Sequence, residues 1–367
     1  MGKSAAIAAI GVLAGLILGV FVLSPGAVSN KSSEIATVQD GSEVAKPIRW
    51  KMASSYSGNL IVLGTQGHAV EDRIRTLSNG TMELKYFDAG ALVPALEVFD
   101  AVSTGAVNAG WTGSGYWAGK IPALQFFTAV PFGPSAGEVM AWRYYGGGLE
   151  LMQELYARHN IFSQPCTLLS PEGSGWFTKE IKTVEDLKGL KMRFFGLGAK
   201  VLEKLGVSTQ LLAAGDIFPA LELGTIDAAE FSMPAIDLDL GFYQVAKHYY
   251  FPGWHQPTSM IELMVNLDDW NGLNATQQQI ITSVCKESIL QTFAQGEAIQ
   301  FPALQALESK GVTVHRWSPD ILDALERAWM EVVEEESEKD ADFARVWAAL
   351  REFRANYKIW GDLGYLD

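Results

Sequence analysis

The chain has 367 residues, 48% of them hydrophobic, and a formal net charge of -14; this length makes about two domains with ample core. The acidic balance argues against a nucleic-acid partner, because phosphate binding needs a basic face, and 11 Trp, 11 Tyr and 18 Phe exclude a disordered chain. The two cysteines, Cys166 and Cys285, lack paired spacing, which argues against thiolate metal sites and redox motifs and favours two separate buried thiols over a disulfide.

Residues 1–30 read as a targeting segment. Lys3 supplies a positive start, residues 5–23 are continuously apolar, and Ala27, Val28 and Ser29 offer a small-residue cleavage site before Asn30. The apolar run is also long enough to span a bilayer, so the segment is either a signal peptide or an uncleaved signal anchor. Both readings deliver the body outside the cytoplasm. Residues 31–46 are polar with little periodicity and read as a disordered leader.

The folded part opens with a strand over 49–53, a polar loop over 54–59, a helix over 62–76 closed by Asn79 and Gly80, and a strand over 81–87. The chain then repeats itself. Val93-Pro94-Ala95-Leu96-Glu97 with Gly105-Ala106-Val107-Asn108-Ala109 echoes Phe218-Pro219-Ala220-Leu221-Glu222 with Gly224-Thr225-Ile226-Asp227-Ala228. The shared grammar is a helix opened by Pro and ended by Gly, then a strand delivered to an edge rich in polar and aromatic residues. Between the copies, 125–133 and 163–175 are broken by Pro and Gly, and 249–257 is broken likewise.

Residues 184–237 carry the densest signal. A strand pattern over 190–195 holds Arg193, a helix pattern covers 198–205, a polar turn covers 214–216, a short helix has Pro219 in its first turn, and a strand pattern ends on Glu230. This rhythm predicts parallel strands with crossover helices, hence an α/β fold. Ligands of such sheets lie beyond the carboxyl ends of the strands, where Arg193 and Glu230 both fall. A helix capped by Asn274 runs to about Lys310, followed by a strand over 312–316, a helix opened by Ser318 and Pro319, and a helix over 342–357. The acidic run over 334–340 reads as solvated surface. Several crossings, including one at 297–303 within the long helix, fit a hinged clamp. Its parts are α/β domain I over 47–168 and 258–300, α/β domain II over 169–257 and 301–355, and a C-terminal tail over 356–367.

The runs YWAGKIPALQFFTAVPFG (116–133), GWFTKEIKTVEDLKGLKMR (175–193), DIFPALELGTIDAAE (216–230) and GFYQVAKHYYFPGW (241–254), with the terminal KIWGDLGYLD, together carry a resemblance. The chain resembles the solute-binding proteins of tripartite ATP-independent periplasmic (TRAP) transporters, of the dicarboxylate-binding-protein type, over essentially all of its mature length. Within them it is similar to the branch that binds 2-oxo or 2-hydroxy monocarboxylates with a metal ion. The resemblance implies a two-domain periplasmic-binding-protein-like clamp with a long helix spanning both domains, in the periplasm, serving TRAP membrane permease subunits. A homodimer is left open.

It also implies roles. Arg193 matches the arginine that pairs with the substrate carboxylate, a task suited to a planar fork that makes two parallel bonds. Glu230 matches the metal-ligating acid, joined by the carbonyl of Phe231, where the branch usually has Trp. Glu172 stands where the branch usually has a glutamine ligand. Two carboxylates with a backbone oxygen suit a hard cation, Ca²⁺ or Na⁺, and the extra charge favours Ca²⁺; no organic cofactor is implied. Trp176 and Tyr116 are expected beside the ligand, and Trp111 and Trp254 in structural roles. Ser232, Met233, Pro234 and Ala235 are smaller than the usual residues, which predicts room for an acid bulkier than pyruvate.

An enzyme finds little support. His68, His159, His248, His255 and His315 make no HExxH spacing, no Gly-x-Ser-x-Gly elbow occurs, and GLGAKVLEKLG lacks the dinucleotide fingerprint. The rival readings are a sensory organic-acid receptor and a carboxylate binder without metal.

Overall fold

The computed structural model describes residues 47–365; the targeting segment and the leader lie outside the described residues. The first strand, β1 (Ile48–Ser54), alternates exposed and buried residues until Met52 and then turns wholly inward, as its end passes beneath other chain. Helix α1 (Leu63–Leu77) places Leu63, Val70 and Ile74 on one buried face and returns the chain so that β2 (Met82–Phe87) lies parallel to β1. Helix α2 (Val98–Ser103) precedes β3 (Ala109–Thr112), which joins the other side of β1, also in parallel. Helices α3 (Ala136–Tyr145) and α4 (Gly148–Ala157) then lead to β4 (Ile161–Pro165).

The chain crosses over 166–174 into a second sheet. Its strands β5 (Gly175–Phe177), β6 (Lys191–Arg193), β7 (Ser208–Gln210), β8 (Ala228–Ala229) and β9 (His248–Phe251) alternate with α5 (Gly198–Lys204), α6 (Ala214–Glu222) and α7 (Pro234–Leu240). Strand β6 runs parallel to both β7 and β8, as crossover helices require. A return crossing brings β10 (Glu262–Asn266) back between β3 and β4, antiparallel to each. Then follow α8 (Leu267–Asn271) and α9 (Ala275–Ser309), the latter opened by a capping box of Asn274 and Gln277. Strand β11 (Thr313–Arg316) pairs with β9, and α10 (Pro319–Lys339) and α11 (Ala341–Gly364) complete the described chain.

The first sheet has the order β2-β1-β3-β10-β4 and the second β11-β9-β5-β8-β6-β7. Helix α9 packs against α1 beside one sheet and α7 beside the other, as expected of a long helix shared by both halves of a clamp. Among the described residues no helix is long and apolar enough to cross a membrane.

Three sequence expectations are corrected. Helix α6 begins at Ala214, where a turn was expected, so Pro219 lies beyond its first turn and removes a bond that the Gly215 carbonyl would accept. In the other copy α2 starts at Val98, after Pro94. What the copies do share is the stop: Gly105 and Gly224 take φ of 75 and 67, the left-handed values that end a helix, and each is followed by a strand. The acidic run over 334–340 is not uniformly solvated, since Glu336 is buried and accepts from Lys200 and Lys339.

The third correction concerns Cys166 and Cys285, which form a disulfide with Cα atoms 4.2 Å apart. Spacing could not show it, because the partners are 119 residues apart and meet only when the crossing after β4 packs on α9. A cross-link closing so long a loop should stabilise the protein by about 2–4 kcal/mol. Urea unfolding of the Cys166→Ser/Cys285→Ser variant should show that loss, and a midpoint equal to that of the oxidised wild type would contradict it.

Candidate functional site

Four parallel strands end at one place. Tyr56 follows β1, Tyr116 follows β3, Arg193 is the last residue of β6, and Glu230, Phe231 and Ser232 follow β8. The two crossings close this space from a third side with Glu172, Gln256 and Ser259. The result is a small, tightly closed cavity of about 20 Å³ lined by Tyr56, Tyr116, Glu172, Arg193, Phe231 and Ser259, among others. The sheets meet there through aromatic contact: Phe195 stands edge-on to Tyr116 with ring centroids 4.9 Å apart. Gly115 permits this approach, since a Cβ there would sit 2.0 Å from the Phe195 ring.

Arg193 and Glu230 are buried together. Arg193 Nη1 donates to Glu230 Oε2 at 2.9 Å and also to the Glu230 carbonyl oxygen, while its Nε donates to the Leu212 carbonyl at 3.3 Å. The Phe195 N–H donates to the same Oε2 at 3.2 Å. The guanidinium lies 5.1 Å from the centroid of the Phe231 ring, so that residue supplies an aromatic wall to the cation. Such a pair is held by its geometry, because desolvating both ions offsets most of their attraction.

A second carboxylate faces the first. Glu172 Oε1 accepts from Ser259 Oγ at 2.9 Å and from Gln256 Nε2 at 3.2 Å, and burial, then the charge of Glu230, pushes its carboxyl well above the usual carboxylate range. Several groups here have no hydrogen-bond partner among the described residues: Glu172 Oε2, Glu230 Oε1, Ser232 Oγ, Gln256 Oε1 and both ring nitrogens of His255, although His255 Nε2 stands 3.3 Å from Glu230 Oε1. One donor atom each from Glu172, Glu230 and His255 lies within 4.8 Å of the others. Two like charges no farther apart than that would repel by at least about 3.5 kcal/mol at an effective dielectric of 20. A cation held among these atoms would remove the repulsion and satisfy the unpaired oxygens, so the residues fit a metal ion. The carbonyl of Phe231, which accepts no hydrogen bond from a described residue, is a further oxygen of the same kind.

Behind the cavity, buried Asp237 accepts from Trp176 Nε1 at 2.8 Å, Tyr249 Oη at 2.9 Å and the Ser232 N–H at 3.1 Å. Burial holds its carboxyl up to about 8 despite these three donors. The contact to Ser232 fixes the peptide joining it to Phe231. In a trans peptide the N–H and C=O point to opposite sides, so the Phe231 oxygen is turned away from Asp237.

Of the residues singled out in the sequence, the structure brings together Tyr116, Glu172, Arg193, Glu230 and Phe231. Trp176 does not line the cavity; it stacks on Tyr249 with centroids 4.0 Å apart. Met233 and Ala235 also lie outside the lining, so only Ser232 of that small-residue stretch could widen the space. Tyr56, His255, Gln256 and Ser259 escaped the sequence reading. The last three share one Pro-broken crossing, and the signal available was a His-Gln pair directly after the Tyr-Phe-Pro-Gly-Trp run. Arg193→Ala should leave Glu230 buried without its cation and cost about 3–5 kcal/mol. Urea unfolding of the ligand-free variant measures this, and wild-type stability would show that the pair does not hold the site.

Residues 59–340 match the bacterial extracellular solute-binding proteins, family 7. A monocarboxylate 2-oxoacid-binding periplasmic protein of Nostoc is 40% identical over 321 residues, which is 87% of this chain and 88% of the relative. A TRAP transporter solute-binding protein of Bordetella bronchiseptica, solved as a dimer with copurified calcium and picolinate, superposes with a TM-score of 0.85 at 37% identity, covering 87% of this chain and 95% of that one. One of Pseudoalteromonas atlantica, solved with sodium and pyruvate, gives 0.84 at 34% identity, covering 87% and 97%.

Proposed function

The chain belongs to family 7 of the bacterial extracellular solute-binding proteins, and on that premise we propose that it captures a small 2-oxo monocarboxylate together with a cation and hands it to TRAP permease subunits in the periplasm. The observation that carries this reading is the pair of buried carboxylates, Glu172 and Glu230, each with an unpaired oxygen, clustered beside Arg193, which with Glu172 lines the cavity. An anion alone would enter a site with more negative than positive charge. A cation reverses that balance, and its hard oxygen ligands here suit Ca²⁺ or Na⁺.

Glu172, Glu230 and the Phe231 carbonyl hold the ion. Held there, the ion would supply the positive charge that attracts the carboxylate and 2-oxo oxygens of the ligand, favouring it over an acid that lacks the 2-oxygen. Arg193 already directs Nη1 and Nε at protein oxygens, so Nη2 meets a carboxylate oxygen of the ligand. Tyr56, Tyr116 and Phe231 exclude water. Each polar group serves to hold charge, and binding without turnover follows.

The crossings over 166–174 and 252–261 form the hinge between domain I (47–168 and 258–300) and domain II (169–257 and 301–355). Closure buries the ligand and supplies the differential affinity that favours the closed form. In calorimetry with pyruvate and Ca²⁺, Arg193→Lys should weaken pyruvate binding by about tenfold or more, the worth of a charge-assisted hydrogen bond. Glu230→Gln should remove the requirement for the ion together with most of the affinity. Small-angle scattering of the saturated wild type should show a smaller radius of gyration. Undiminished pyruvate binding by Arg193→Lys would contradict the carboxylate assignment, and an unchanged radius would contradict the hinge.

A further inference from the structure

We propose that Phe195 is the positioning residue that couples occupancy of the cavity to closure of the clamp, by seating its ring in a notch that Gly115 leaves open on the opposite half. This role rests on the proposed hinge between the two domains. Phe195 lies just past Arg193, beyond the end of β6 in domain II, whereas Gly115 and Tyr116 follow β3 in domain I. Their contact therefore spans the two halves.

Phe195 joins the charged cluster to that contact. Its N–H donates to Glu230 Oε2 at 3.2 Å, the same oxygen that Arg193 holds. Its ring lines the cavity, lies 6.0 Å by its centroid from the Arg193 guanidinium, and meets the ring of Tyr116 edge-on. The far edge of the ring fills the place of a side chain at Gly115: a Cβ there would sit 2.0 Å from Cζ, 2.1 Å from Cε1 and 2.5 Å from Cε2. All three fall far inside the contact distance of about 3.5–4.0 Å between carbon atoms.

The notch belongs to Gly115 in particular. At Gly113, close by in the same segment, a Cβ would lie 3.6 Å from the same Cζ, an ordinary contact. Gly115 is also absent from the glycines that take positive φ, so its own backbone would accept alanine. What requires glycine there is the ring arriving from the other domain. A cation and acid that fix the Glu230 carboxylate fix the Phe195 N–H with it, and so the ring that must enter the notch. Only the closed form makes the contact, which adds to the differential affinity by which cargo favours closure.

The test uses the full mature protein with saturating Ca²⁺. Calorimetry of Gly115→Ala should show pyruvate affinity lower by about 5- to 150-fold, the cost of forcing one more methyl group into a packed contact. Small-angle scattering at a pyruvate concentration that just saturates the wild type should leave the variant at the larger, ligand-free radius. Without ligand its urea midpoint should equal that of the wild type, because the open form carries no clash. In a Phe195→Ala background the same Gly115→Ala change should cost less than about twofold, the non-additivity of two residues that share one contact. The Gly115→Ala measurements stand without the second variant. Wild-type affinity and closure in Gly115→Ala, an equal loss in both backgrounds, or a lowered ligand-free midpoint would overturn this inference and leave the proposed function intact. A wild-type radius that does not shrink at saturation would overturn the hinge and this inference with it.

Discussion

The site depends on an imbalance of buried charge. One guanidinium, Arg193, faces two carboxylates, Glu172 and Glu230, all nearly inaccessible to water. An apolar interior does not tolerate that excess, and burial with the neighbouring charge of Glu230 pushes the Glu172 carboxyl well above its ordinary range. Unpaired oxygens record the part left unrelieved. On the proposed reading, a cation bound with the acid offsets the excess.

The architecture serves that arrangement. Parallel strands from both sheets end at one cavity and bring Arg193 and Glu230 to adjacent ends of β6 and β8, while the crossings add Glu172 and His255. A crossing is a poor place for fixed charge unless it is anchored. Here the disulfide ties the outgoing one to α9, and the isolated bridge between Leu169 and Ser259 ties the crossings to each other. Glu172 and His255 of the buried cluster therefore lie on segments that also connect the two sheets.

The fold was legible where periodicity is strong. Strand β1, helix α1 and the Asn274-capped helix α9 stand within a residue or two of their expected bounds, because apolar spacing and capping act locally. Local rules failed at Pro219, where tertiary packing of α6 outweighs one missing hydrogen bond, and at Cys166, whose partner is set by packing of distant segments. Arg193 and Glu230 were visible because they end strand patterns. Glu172 came from resemblance, since its loop has no pattern of its own. His255, Gln256 and Ser259 were invisible for the same reason: a Pro-broken crossing reads as exposed connection, and only the assembled protein shows it buried. Trp176 misled in the opposite sense, for an aromatic beside a site in sequence can stand one layer behind it in space.

The central claim is that cation and acid enter as one unit. The apparent affinity for pyruvate, measured by calorimetry over a series of buffered free Ca²⁺ concentrations below saturation, tests it directly. The account predicts that the logarithm of that affinity rises with the logarithm of free Ca²⁺ with a slope of about one, the linkage expected when one ion joins each ligand. A slope of zero, with pyruvate still bound, would contradict it.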